Sequence, residues 1–168
     1  GTMTVGATLT GDHEIAITGA LGSQQISLTN GTTVANVAAA MGCALGALKS
    51  KATDMKGFSK EFDKITSLMA STRPTAVNLF WAIERMKKVA SENAALSVDK
   101  LKKRLVEEAK TIHKEDIEIC RMIGRHGGKL LKNGTVLTHC NAGALATAGY
   151  GTALGVIRGA IEQGKKIA

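Results

Sequence analysis

The chain has 168 residues, with 22 Lys and Arg against 14 Asp and Glu, a formal charge of +8 at pH 7. That length suits one well-cored domain, or a domain with a small appendage, and leaves little room for two full domains. Apolar residues reach 44 % but aromatic residues only 3 %, which predicts closely packed helices rich in Ala and Gly and disfavours stacking on nucleic-acid bases.

The basic residues are dispersed and read first as solvated helix faces; the alternative is an anionic partner such as a phosphorylated small molecule. Nucleic acid, which would bind with steep salt dependence, ranks last, since no aromatic residues interleave with the dispersed lysines to stack bases. Cys43, Cys120 and Cys140 are widely spaced with no CxxC pair, so neither a disulfide framework nor a metal site is expected, and reduced thiols in the cytoplasm fit best. No run of about 18 apolar residues occurs, so no membrane span is expected. "GTMTVGATLTG" shows neither a charged leader nor a hydrophobic stretch, and Gly1 and Thr2 before Met3 read as a vector remnant.

In chain order, Thr4 to about Asn30 reads as a β-hairpin. "HEIAITG" and "QQISLTNG" alternate apolar and polar residues around a short turn, with Ile15 and Ile17 on one face and Ile26 and Leu28 on one face of the partner. Thr32 or Thr33 can then cap a helix starting near Val34. "GFSKEFDKITSLMAS" places Phe58, Phe62, Ile65 and Met69 at helical spacing, with Ser59 as cap. Pro74 suits a first helical turn, and Val77, Phe80, Trp81 and Ile83 to Met86 supply a stripe read as core packing. A long helix is expected from Ser97, its face made of Leu101, Leu105, Ala109, Ile112, Ile119 and Met122, with Gly127 and Gly128 breaking or bending it.

"NGTVLTHC" reads as a turn into a short buried strand, followed by a glycine-rich loop and a helix over "GTALGVIRGAIEQGKK". The expected fold class is therefore α+β: an N-terminal β-hairpin packed on a helical bundle, ending in one strand-loop-helix unit of a truncated α/β domain. The expected divisions are residues 1–37, 38–134 and 135–168.

Cys140 falls at the end of that strand, where open α/β folds put ligands, and amides of the loop could hold a phosphate. Asn141, Gly143, Gly149 and Gly151 are the candidate loop residues. The alternative for Cys140 is an inert buried thiol. A Cys/His pair with His139 is a poor reading, because neighbours on a strand point to opposite faces. Arg73, just before Pro74, could grip a phosphate or sugar oxygen, or could pair with Glu84 or Asp63.

"STRPTAVNLFWAIERM", Ser71 to Met86, and "VLTHCNAGALATAGYGTALGVIRGA", Val136 to Ala160, closely resemble the methylthioribose-1-phosphate isomerase family of methionine salvage. That family is related to ribose-1,5-bisphosphate isomerase and to regulatory subunits of the eukaryotic initiation-factor exchange complex. The resemblance runs from about Ala38 to Ala168. It implies an aldose-ketose isomerisation of a 1-phosphosugar without cofactor or metal, with Cys140 in the catalytic role of proton carrier or stabiliser and Arg73 binding substrate. The family's "RGAPAIG" segment is replaced here by "TNGTTVANV", and its acid/base aspartate belongs to a C-terminal domain beyond Ala168. The chain is therefore expected to be incomplete for catalysis; the alternative is a non-catalytic, self-associating domain, and a homo-oligomer is expected in either case. Glu14 to Met41 more weakly resembles the β-β-α repeat of bacterial flagellins, which suggests a chimera joined around Val37 to Met41.

Overall fold

The structure is a computed structural model that describes residues 35–168. Five α-helices follow one another: α1 (Ala35–Lys49), α2 (Met55–Thr72), α3 (Val77–Glu92), α4 (Val98–Leu130) and α5 (Ala153–Glu162), with a 3₁₀ turn at Ala144–Ala146 before α5. The described residues form two compact units, Ala35–Ile112 and His113–Ala168.

In the first unit the buried face of α1 is made of small residues, and Val37, Ala39, Ala40, Cys43 and Ala47 are all fully buried. A helix lined this way lets its neighbours come close, and α2 and α3 both pack on it. Helix α2 begins where Asp54 accepts a hydrogen bond from the Gly57 amide at 2.8 Å, a side-chain N-cap. The cap expected at Ser59 thus lies a turn upstream. Phe58, Phe62 and Met69 turn inward, and the two phenyl rings stack at 5.8 Å between centroids. Leu79, Ile83 and Met86 of α3 and Leu101, Leu105 and Ile112 of α4 complete the core. Each such side chain contributes about 1.5–3 kcal/mol.

Two α3 expectations are corrected. Helix α3 starts at Val77, with Pro74 and Thr75 in a turn before it. Val77, Phe80 and Trp81 are exposed rather than core, and Arg85 lies over the Trp81 ring at 5.4 Å.

In the second unit, the end of α4 packs against α5. The helix continues through Gly127 and Gly128, where the sequence predicts a break or a bend. Their function is contact: a Cβ on Gly128 would lie 2.7 Å from the Ala160 amide nitrogen. Lys165 closes the end of α4, its Nζ donating to the carbonyls of Gly128 at 2.6 Å and Lys129 at 2.9 Å, and to that of Leu131.

The α+β class does not hold. Among the described residues there is helix, turn and loop but no strand. The expected hairpin, and its packing on the bundle, fall outside the described residues. The strand expected from "NGTVLTHC" is an extended segment with one isolated parallel bridge, Gly134 to Ile167. Its backbone bonds are Gly134 N to Lys166 O, Ala168 N to Gly134 O and Val136 N to Ala168 O, each 3.0 Å. A strand is defined by a partner along its length, and here pairing stops after Val136, leaving Leu137 97 % exposed.

Candidate functional site

Extended chain from Gly134 reaches Cys140, where the backbone turns sharply. Cys140 has φ +71°, the one described residue other than glycine with a positive φ. The left-handed region costs an L-residue with a Cβ roughly 1–2 kcal/mol, and such outliers gather where a side chain must be aimed. Cys140 is exposed, while Cys43 and Cys120 are buried. The inert-thiol alternative therefore describes those two. Burial pushes the Cys43 thiol up to about 12, against an opposing pull from the charge of Lys87.

The loop after Cys140 is held by a compact set of bonds. The buried Thr147 is its hub: Oγ1 accepts from the Gly151 amide at 2.9 Å and the Gly149 amide at 3.4 Å, and donates to the Gly143 carbonyl at 3.5 Å. The Ala142 carbonyl accepts from the amides of Thr152 at 2.9 Å and Leu154 at 3.3 Å, which ties the loop to the first turn of α5. Gly151 needs its missing side chain twice over: φ is +96°, and a Cβ would stand 2.9 Å from the Ala142 carbonyl oxygen.

One anchor comes from α4. Asp116 Oδ2 accepts from the Ala148 amide at 2.8 Å, and the Cys120 thiol approaches the same oxygen at 4.0 Å. Burial, and then the negative charge of Asp116, raise the Cys120 thiol above its usual value, against bonds from Thr147 and Gly151.

The loop thus gathers Cys140, Asn141, Gly143, Gly149 and Gly151. The Gly149 and Gly151 amides, candidates for holding a phosphate, donate to Thr147. Arg73 belongs to the first unit, as the half-buried C-cap of α2. Glu84, weighed above as its partner, pairs with Lys87 at 3.3 Å. Sequence reasoning missed Asp116 and Thr147. Asp116 and Cys120 do share a helix face four residues apart, the one hint that this face of α4 meets something polar. Among the described residues, no three His, Cys, Asp or Glu side chains gather where a metal could bind, and no helix is long and apolar enough to cross a membrane.

The model of the initiation factor 2 subunit family matches residues 28–168. Methylthioribose-1-phosphate isomerase of Geobacter sulfurreducens is 58 % identical over 138 residues, 82 % of this chain and 40 % of that protein. Its counterpart in Geobacter metallireducens is 55 % identical over 141 residues, 83 % of this chain and 41 % of the relative. Among solved structures, 5-methylthioribose 1-phosphate isomerase from Pyrococcus horikoshii superposes with a TM-score of 0.74 at 40 % identity, covering 82 % of this chain and 39 % of that one. The delta subunit of translation initiation factor eIF-2B from A. fulgidus gives 0.68 at 44 % identity, covering 83 % and 41 %. The chain spans about two fifths of the length of the curated relatives it matches.

Proposed function

This chain belongs to the initiation factor 2 subunit family, and on that premise we propose that it is the N-terminal portion of a methylthioribose-1-phosphate isomerase. The observation that carries the reading is Cys140, exposed at a strained left-handed position in a chain 58 % identical to an isomerase over 138 residues. The substrate is a 1-phosphorylated aldose and the product its ketose.

A phosphate on C1 locks the sugar ring, so the reaction must open the ring and then move hydrogen from C2 to C1. In this reading Arg73 grips a phosphate or sugar oxygen through its planar fork. Cys140 stands at the reacting carbons, as proton carrier or as stabiliser of developing charge. An acid/base aspartate completes the site from the part of the relatives' length that this chain does not span. A cysteine and an aspartate that act together need both halves in one geometry.

A graft tests this. Residues 38–168 are placed in the Geobacter sulfurreducens isomerase in exchange for the corresponding segment, and turnover of methylthioribose-1-phosphate is measured. Turnover that Cys140→Ser and Arg73→Ala each lower by about a hundredfold or more is the expected result. A folded graft without turnover, or one indifferent to Cys140→Ser, contradicts the reading.

A second reading is a non-catalytic, self-associating domain. It draws on the 44 % identity to an initiation-factor subunit and on Leu130 and Leu137, 83 % and 97 % exposed near the Gly134–Ile167 bridge. It predicts a sedimentation coefficient that rises with concentration and a graft that is folded and inactive.

A further inference from the structure

Cys140 keeps a costly backbone conformation, so something outside the residue must hold it there. The bonds that do so lead to α4. Ala142, two residues on, is tied by its carbonyl to the amides of Thr152 and Leu154. Gly143 and Gly151 are both tied to Thr147. Ala148, the next residue after Thr147, gives its amide to Asp116. The loop's contact with a regular element thus includes a charged acceptor on a helix, and a bond to a carboxylate is among the stronger kinds.

We propose that Asp116 is a positioning residue for Cys140: its carboxylate fixes the Thr147–Ala148 segment, and Thr147 in turn holds the two ends of the loop in the register that keeps Cys140 left-handed and exposed. The proposal deepens the isomerase reading, because a thiol serves at reacting carbons only if the loop beneath it is rigid.

The test uses the full 168-residue chain and needs no turnover, so it stands apart from the graft. Amide exchange and ¹³C shifts of Cys140 are measured by NMR in the wild type, Asp116→Asn, Asp116→Leu and Thr147→Val. Asp116→Leu removes the acceptor and is expected to speed exchange of the Gly151, Thr152 and Leu154 amides by about tenfold or more. It also shifts the Cys140 Cα and Cβ signals away from their left-handed values, while Leu101 and Leu105 keep their protection. Asp116→Asn retains an acceptor oxygen and is expected to restore both. Thr147→Val leaves the Asp116 bond in place, yet is expected to shift Cys140 as Asp116→Leu does. Faster exchange confined to Ala148, with Cys140 signals unmoved in Asp116→Leu or Thr147→Val, overturns the proposal. So does an Asp116→Asn chain that fails to restore the Cys140 signals.

Discussion

Arg85 Nε lies 2.6 Å from Glu108 Oε1, joining α3 to α4 in the first unit, and Arg104 Nη2 holds the other carboxylate oxygen at 2.7 Å. The Glu108 side chain is 7 % exposed and that of Arg85 25 %, so the pair is partly shielded from water. Burial works against the charged carboxylate, but the bonds and charges of the two arginines outweigh it and hold Glu108 below its usual value of 4.5.

Removing one arginine leaves a buried charge with half its compensation. Arg85→Met is expected to lower unfolding stability by about 2 kcal/mol, measured by urea denaturation. The sign with pH follows from the depressed value. The Glu108 contribution is fully present above 4.5 and is lost as pH falls through the lower folded-state value. Glu108→Gln should therefore flatten the acid limb of the stability curve.

The helices were legible because apolar periodicity marks the buried face of α2 and of the first part of α4: Phe58, Phe62, Leu101 and Leu105 are all buried, whereas Ile119 and Met122 of the same expected face are exposed. Trp81 departs from the expectation because periodicity cannot tell a core face from a half-exposed one with a guanidinium, here that of Arg85, over it. The strand failed for a related reason: "TVLT" has strand composition, but a strand also needs a partner, which composition does not contain. At the candidate site, Cys140 and the glycines stood out as residue types, whereas Asp116 reaches Ala148 from 32 residues away, a contact no local pattern encodes.

Strain at Cys140 has a measurable stability signature. Cys140→Gly removes the Cβ that makes φ +71° costly and is expected to be about 1 kcal/mol more stable than Cys140→Ala, which keeps the strain. Thermal unfolding of the two variants checks this. A Cys140→Ala variant about 0.4–1 kcal/mol more stable than Cys140→Gly, the difference that unfolded-chain entropy alone gives, would mean that the left-handed conformation carries no cost here.

Lys165 replaces the missing partners of three carbonyls at the end of α4. Lys165→Met keeps much of the side-chain bulk and removes the donors, which should destabilise the second unit by about 1–2 kcal/mol. Exchange of the amides in the last turns of α4, read beside those of Leu101 and Leu105, shows whether the loss is local.

The central claim is that Cys140 faces the phosphosugar. Site-resolved alkylation of the graft that carries residues 38–168, followed at Cys43, Cys120 and Cys140, tests it most directly, since the first two are buried and Cys140 is exposed. The expected result is labelling of Cys140 alone among the three, slowed about tenfold by saturating methylthioribose-1-phosphate because a seated ligand covers the thiol, with the protection lost in Arg73→Ala. An unchanged rate at ligand concentrations that saturate the graft would contradict the account.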